Sequence, residues 1–429
     1  QEVQPARRVR SSLITPVKRS RLFVVGLAVA AALAATIVTR AATDWPQFLG
    51  PSRNGVYAGP ALADNWGTSG PKVVWRKQVG QGFAGPAVVG NRVILFHRVG
   101  SEEVLESLDA ATGNATWRYA YPTRYRDDFG FDEGPRAVPV VADGVIYTFG
   151  AEGQLHAVDL AKGTRIWSED TMKRFGVPKG FFGAAGSPLV EGGRVIANVG
   201  GDKAGIVAFE AKTGKVLWTA TDDDASYSSG VAATIGGHRL GVFLTRDSLV
   251  GLDPASGMVQ FQRRWRARLA ASVNAASPII VGDQIFVSAQ YGPGAGVLRV
   301  NGSQLTDVWT SDDVLSNHYA TSVFYNGYLY GFHGRQEFGP SLRAVEFQTG
   351  TVKWSQEQFR AGSVLLVGDR LLITREGGEL ILAGASPQAF KPIARAQILQ
   401  GVVRPYPALA DGLLYVRNEN TLLCLDLRK

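Results

Sequence analysis

The 429-residue sequence predicts an all-β chain folded as an eight-bladed propeller, and three observations carry that prediction. The first is composition: 51 Gly with 33 Phe plus Tyr and 9 Trp point to many tight turns punctuated by large rings. The second is a turn that recurs at fixed spacing. Leu108-Asp109-Ala110-Ala111-Thr112-Gly113 leads to Trp117, and Val158-Asp159-Leu160-Ala161-Lys162-Gly163 leads to Trp167. Phe209–Gly214 leads to Trp218, Leu252–Gly257 to Phe261, and Val345–Gly350 to Trp354. In each copy the acid precedes Gly by four residues and the ring by eight. Asn301 and Trp309 keep the outer spacing without the Gly. The third is a hairpin upstream of each turn, as in Pro139-Val140-Val141-Ala142-Asp143-Gly144-Val145-Ile146-Tyr147. Two β-rich runs flanking a two-residue Gly, Asn or Asp turn read as a hairpin.

Together these give a four-stranded meander of about 45 residues, the unit of a propeller blade. The turn acid accepts backbone N–H groups, and Gly supplies positive φ without a steric cost. The ring lies on the outer strand, where it can fill the wedge between blades. Trp75, Trp117, Trp167, Trp218, Phe261, Trp309 and Trp354 are therefore expected as structural docking residues. Hairpins begin near Pro86, Pro139, Pro188, Val231, Pro278, Thr321, Ser363 and Pro407, which makes eight units. The last unit lacks a fourth strand. Lys72–Lys77, with Trp75, can supply it and close the ring, removing exposed sheet edges. The unit at Ser363–Gly384 is the most degenerate, with Ile393 at the Trp position.

The net charge of +8 is uneven. Residues 1–40 carry +6 and the remainder only +2. Leu22–Val38 is an apolar run of 17 residues between Arg21 and Arg40, close to the short limit for a membrane-spanning helix. The expected organisation is a basic cytoplasmic segment (1–21), a transmembrane signal anchor or signal peptide (22–39), an extended lead-in segment (40–70) and the propeller (71–429). Basic residues ahead of an apolar run place the downstream chain outside the cytoplasm. A periplasmic or other extracytoplasmic location, anchored in the inner membrane by residues 22–39, is expected, with no nucleic-acid partner. The basic isoelectric point reports topology.

Cys424 is the single cysteine, so an intramolecular disulfide or a Cys-rich metal site is excluded. His97, His156, His238, His318 and His333 fall in different units without ligand spacing. Asp222–Asp224 reads as a solvated loop, and Arg263–Arg268 as a solvated blade edge. The loops before the innermost strands should gather at one mouth of the central channel. They bring Phe83, Asp132, Glu133, Arg136, Phe182, Tyr227, Asn274, Asn317, His318, Arg404 and Tyr406 to one rim. Such groups can grip a peptide or small ligand, or plug the channel and bond to neighbouring loops.

The repeated pattern Ala/Val-x-Asp-x-x-Thr-Gly-x-x-x-Trp resembles the tryptophan docking motif of the pyrroloquinoline-quinone (PQQ)-like β-propellers. Asp44–Val56 resembles the start of bacterial secreted PQQ-binding-like repeat proteins. The resemblance covers about residues 44–428, including Gly134-Pro135-Arg136 and Asn317-His318. It implies one of two roles. Quinoprotein dehydrogenases of this fold hold PQQ with Ca²⁺ and usually a vicinal disulfide, which a lone Cys424 cannot form. Outer-membrane assembly lipoproteins of the same fold are non-enzymatic scaffolds, though the lipoprotein Cys is missing after Val38. The expectation is a non-enzymatic scaffold or accessory subunit for other envelope or membrane proteins, with no cofactor and with membrane attachment through the N-terminal helix.

Overall fold

Each predicted hairpin is the inner half of a four-stranded antiparallel meander; among the described residues there are eight, seven forming a sheet alone and one, in blade 7, joined by a short parallel fifth strand. The computed structural model describes residues 43–429 except 267–268 and 270–273, and the expectations for residues 1–42 lie outside these. Blade 1 runs outward through Ala87–Val89, Arg92–Val99, Glu102–Asp109 and Ala115–Pro122. Six further blades come next in sequence order. Blade 8 takes its three inner strands from Ala408–Asp426 and its outer strand from Lys72–Gln78, paired with Thr421–Asp426. The ring is closed by Lys72–Gln78, the strand just ahead of blade 1, as the sequence predicts. Among the described residues, no helix is long and apolar enough to cross a membrane.

The second and third strands of each blade are almost wholly buried, as in RVILFHRV of blade 1. The repeated turn acts as expected: Asp109 Oδ1 accepts from Ala111 N and Thr112 N, and Asp159 Oδ1 from Ala161 N and Lys162 N. The Gly has a second role. At Gly113, φ is +74°, and an added Cβ would sit 2.7 Å from the Trp75 ring of the preceding blade. Gly163, Gly214, Gly257 and Gly350 meet Trp117, Trp167, Trp218 and Trp309 in the same way. The indole N–H groups of these rings donate to the next blade, for example Trp75 to Ala110 O at 2.8 Å and Trp117 to Leu160 O at 3.0 Å. All eight outer strands carry a register irregularity at the same point, just before the aromatic residue in seven of them and before Ala394 in blade 7. A bulge there increases local twist and re-aims the side chain.

Two exceptions share a setting. Phe261 and, in blade 7, Ala394 stand where the other blades carry Trp, and the next blade, 5 or 8, lacks the Asp-x-x-x-Gly turn; Ile393, expected at that position, is instead the residue skipped by the bulge and is 44% exposed. Trp354 also faces a blade without that turn, and its indole donates instead to Ser386 O at 2.8 Å. Phe261 packs over Gly251 of its own sheet. Trp265 then fills the gap between blades 4 and 5. It is 5% exposed and lies against Gly296. This corrects the reading of Arg263–Arg268 as a solvated edge, since its Trp is core. Two of its described arginines are held by acids, Arg263 by Asp307 and Arg266 by Asp247 and Asp224, while Arg264 is exposed. The Asp222–Asp224 loop also differs from expectation. Asp223 is buried and accepts from Thr245 Oγ1 and Gln262 Nε2.

Two histidines on the second and third strands are buried and kept neutral. Burial, with the charges of Arg417, Lys77 and Arg118, holds His97 at about 3, while burial and Arg165 hold His156 at about 4. Below pH 6.5 the unfolded chain takes up protons that the folded chain refuses, so stability falls with pH until those lower values are reached. Each histidine should remove on the order of 2 kcal/mol between pH 6.5 and 4. Glu103, pushed upward by burial, acts with the opposite sign and reduces the slope. Urea midpoints should fall from pH 7.5 to 4.5, and less steeply in a His97→Gln/His156→Gln variant. Identical slopes would refute this assignment.

Candidate functional site

The lead-in segment occupies the middle of the ring. Trp45 pairs with Val88 on the inner strand of blade 1, and Pro46 O accepts from Val141 N of blade 2. Asp44 caps Gly90 N, and Thr43 N donates to Asp411, both at hairpin turns. The chain therefore enters from the hairpin face and climbs toward the loop face. It reverses around Leu49–Gly55, where Leu49, Gly50, Arg53 and Gly55 all have positive φ. Val56–Tyr57 then runs parallel to Leu366–Val367 of blade 7, and the Tyr57 hydroxyl accepts from Gly412 N.

Arg53 lies near the tip of this plug and is 3% exposed. Its guanidinium donates to the carbonyls of Ser187 (3.3 Å) and Pro188 in blade 3 and Gly230 (2.8 Å) before blade 4, and its Nε to Gln47 Oε1 (2.8 Å). Burial lowers its pKa to about 9. A fork of N–H groups suits several carbonyls arranged around one point. The axis that a ligand of the channel would use is thus filled by this chain's own cation.

Above the plug, on the loop face, the connections preceding blades 1, 2, 3, 4 and 8 meet. Arg136 stands over the rings of Phe83 (5.5 Å), Tyr125 (5.5 Å) and Phe182 (5.6 Å) and is ion-paired with the buried Asp127 carboxylate. Arg404 lies 5.3 Å from the Phe83 centroid and 5.1 Å from that of Phe131. Phe129, Phe131, Phe181, Phe182 and Tyr227 make a continuous run of ring contacts at 5.3–6.3 Å. Phe129 and Phe131 remain 52% and 54% exposed, so the outer side of this cluster faces solvent. Arginine over an aromatic face is an attractive contact of about 0.5–2 kcal/mol.

The structure thus brings Phe83, Arg136, Phe182, Tyr227 and Arg404 together. Other predicted rim residues turn inward. Asp132 accepts from Gly82 N and Gly134 N, tying two loops, while Glu133 pairs with Arg98 and Arg126. Asn274 donates to Thr245 O and Trp265 O, and Asn317 to Phe332 O. Tyr406 accepts from Thr321 N across the ring. His318 contacts Tyr291, at 3.1 Å between Nε2 and the hydroxyl, apart from the aromatic cluster. Ser272 and Val273 of the same predicted loop set lie outside the described residues. Tyr125, Asp127 and Arg53 were missed by rim reasoning, because none lies in the short stretch just before an inner strand.

A quinone with a divalent cation would need anionic oxygen ligands at the channel. There the structure puts a buried guanidinium, and among the described residues no three His, Cys, Asp or Glu side chains group to hold a metal. These residues do not fit that group.

The geometry defines a closed eight-bladed propeller with a self-plugged channel and an aromatic–arginine face. A sequence profile described as outer membrane protein assembly factor BamB matches residues 101–338, and the chain belongs to that family. It is similar to outer membrane protein assembly factor BamB of Salmonella typhimurium strain LT2, 25% identical over 260 residues, which are 57% of this chain and 62% of that protein. It is also similar to the quinohemoprotein alcohol dehydrogenase ADH-IIG of Pseudomonas putida, 30% identical over 128 residues, 29% of this chain and 17% of that enzyme. The chain spans about a sixth of the length of the dehydrogenases it matches. The crystal structure of BamB from Moraxella catarrhalis superposes with a TM-score of 0.59 at 14% identity, covering 82% of this chain and 96% of that one. The quinohemoprotein alcohol dehydrogenase of Comamonas testosteroni gives 0.63 at 16% identity, covering 90% and 81%. At these identities the structural likeness speaks for the fold.

Proposed function

We propose that this propeller is a non-enzymatic scaffold on the extracytoplasmic side of a membrane, where it docks other envelope proteins on its loop face. One observation carries the reading: the channel is filled by the chain's own segment, while two half-exposed phenylalanines face solvent on the rim above it, backed by two largely buried arginines, Arg136 and Arg404. Aromatic and arginine side chains are the types that dominate protein interfaces. Membership of an envelope-assembly family supports the location, as does the basic segment before an apolar run in residues 1–40. We further infer that the six repeated Trp residues, with Trp265 in place of Phe261, act as docking motifs between blades, which gives the rim loops a rigid base.

The test is co-purification in mild detergent of the wild type and of a Phe129→Ser/Phe131→Ser variant. Exposed substitutions change stability by about 0.5 kcal/mol or less, so the melting temperature should hold. Recovery of a specific partner should fall about tenfold, the effect of losing some 1.4 kcal/mol of interface energy. Undiminished recovery would remove the rim from the proposal. Dye reduction after addition of PQQ and Ca²⁺ would replace the scaffold reading with a dehydrogenase.

A further inference from the structure

We infer that Arg335, on the loop face at blades 5 and 6, docks a carboxylate side chain of a partner protein, one that lies beside an apolar residue. The inference rests on the scaffold reading above and gives the partner's chemistry at a second point of that face. Three connections build the site. Tyr291 lies between the second and third strands of blade 5, Arg335 and Phe338 between those of blade 6, and His318 ahead of the inner strand of blade 6. The Arg335 guanidinium stands 5.1 Å from the Tyr291 ring centroid and 4.3 Å from that of Phe338. Contact through its flat face leaves the N–H groups at its edge for an acceptor. Among the described residues its only ion pair is with the half-exposed Glu337, at 3.8 Å from Nε, too long for a hydrogen bond.

Tyr291 supplies a second donor. Gln336 N donates to His318 Nδ1 at 3.3 Å, which puts the proton of the neutral imidazole on Nε2. Nε2 then donates to the Tyr291 oxygen at 3.1 Å, so the phenol proton is left for another acceptor. Burial keeps His318 neutral and, with Glu337 nearby, raises the Tyr291 pKa, so the phenol stays protonated. Tyr291 has φ +69°, an uncommon conformation for a bulky residue, and such strain gathers at ligand sites.

A guanidinium edge beside a phenol O–H calls for an anionic oxygen, and a carboxylate matches the planar fork. The other charges near His318, Arg404 and Glu376, are paired with each other at 2.7 Å and make no competing demand. Phe338 borders the guanidinium and, at 66%, is the most exposed large apolar side chain among the described residues. An apolar neighbour of the partner's acid would cover it.

Fluorescence anisotropy tests this on the full chain, using a labelled, amidated short peptide with Glu between Leu and Phe and a counterpart with Gln in place of Glu. The Glu peptide should bind about tenfold tighter. Arg335→Gln should erase that preference with an unchanged melting temperature. Should that variant misfold, Tyr291→Phe keeps the ring, removes one donor and should weaken the preference severalfold. Glu337→Gln should tighten the Glu peptide, because the chain's own acid no longer competes. Equal affinity of the two peptides, a preference that survives Arg335→Gln, or stronger displacement by inorganic phosphate than by acetate would overturn the inference. Equal affinity here, together with partner loss in the Phe129→Ser/Phe131→Ser variant, would remove this site alone and leave the scaffold reading standing.

Discussion

Arg53→Ala is expected to lower stability by about 3 kcal/mol, an unusually large loss for one position in a loop-like segment. The substitution removes the donors for the carbonyls of Ser187, Pro188 and Gly230, which lie at the starts of two inner strands and stay buried. The cost of burying the cation, visible in its pKa of about 9, is recovered and moderates the loss. Arg53 also sits at φ +51°, a strained conformation that an alanine retains. Arg53→Lys should lie between wild type and Ala, because an ammonium keeps the charge but lacks the fork. Urea unfolding at neutral pH measures all three. A loss below about 1 kcal/mol for Arg53→Ala would mean that the plug is not held by this residue.

Trp75→Ala is expected to cost about 3–5 kcal/mol, the range for truncating a buried Trp. Trp75 is 8% exposed, lies on Gly113 of blade 1, contacts the Tyr415 ring at 5.8 Å and donates to Ala110 O. Its position makes it more than a packing residue. It stands on Lys72–Gln78, the strand that closes blade 8 from the far end of the chain. Weakening it should let that strand open before the rest, so the urea m-value should fall as well as the midpoint. Trp117→Ala, one blade on, should lower the midpoint with less change in m, because its strand is contiguous with its own sheet. Indistinguishable m-values would argue that closure is no weaker than any other blade seam.

The fold was legible because its signals are local. A hairpin with a two-residue turn and an acid-x-x-x-Gly turn each fit within about ten residues, the first repeated eight times and the second five. Closure by Lys72–Gln78 was legible too, since the final blade lacked a strand and one spare strand preceded the first. The loss of Trp at Phe261 and Ala394 coincides with a missing turn in the blade after each, although Trp354 keeps its ring in the same circumstance; spacing alone pointed to Ile393 because it does not show the exact register of the bulge. The rim was legible only in part. Loop position identified Phe83, Arg136, Phe182, Tyr227 and Arg404, but Asn274, Asn317 and Asp132 occupy similar loops and point their polar atoms at backbone.

By itself, then, the sequence determined the blade, the number of blades and the way the ring closes, since each rests on short-range turn chemistry and strand periodicity. The tertiary structure decided what fills the ring and what faces out. Arg53 meets carbonyls 134 to 177 residues away, and Arg404 stacks on Phe83. Circular closure brings distant loops to one axis, and no local pattern records which side chains will meet there.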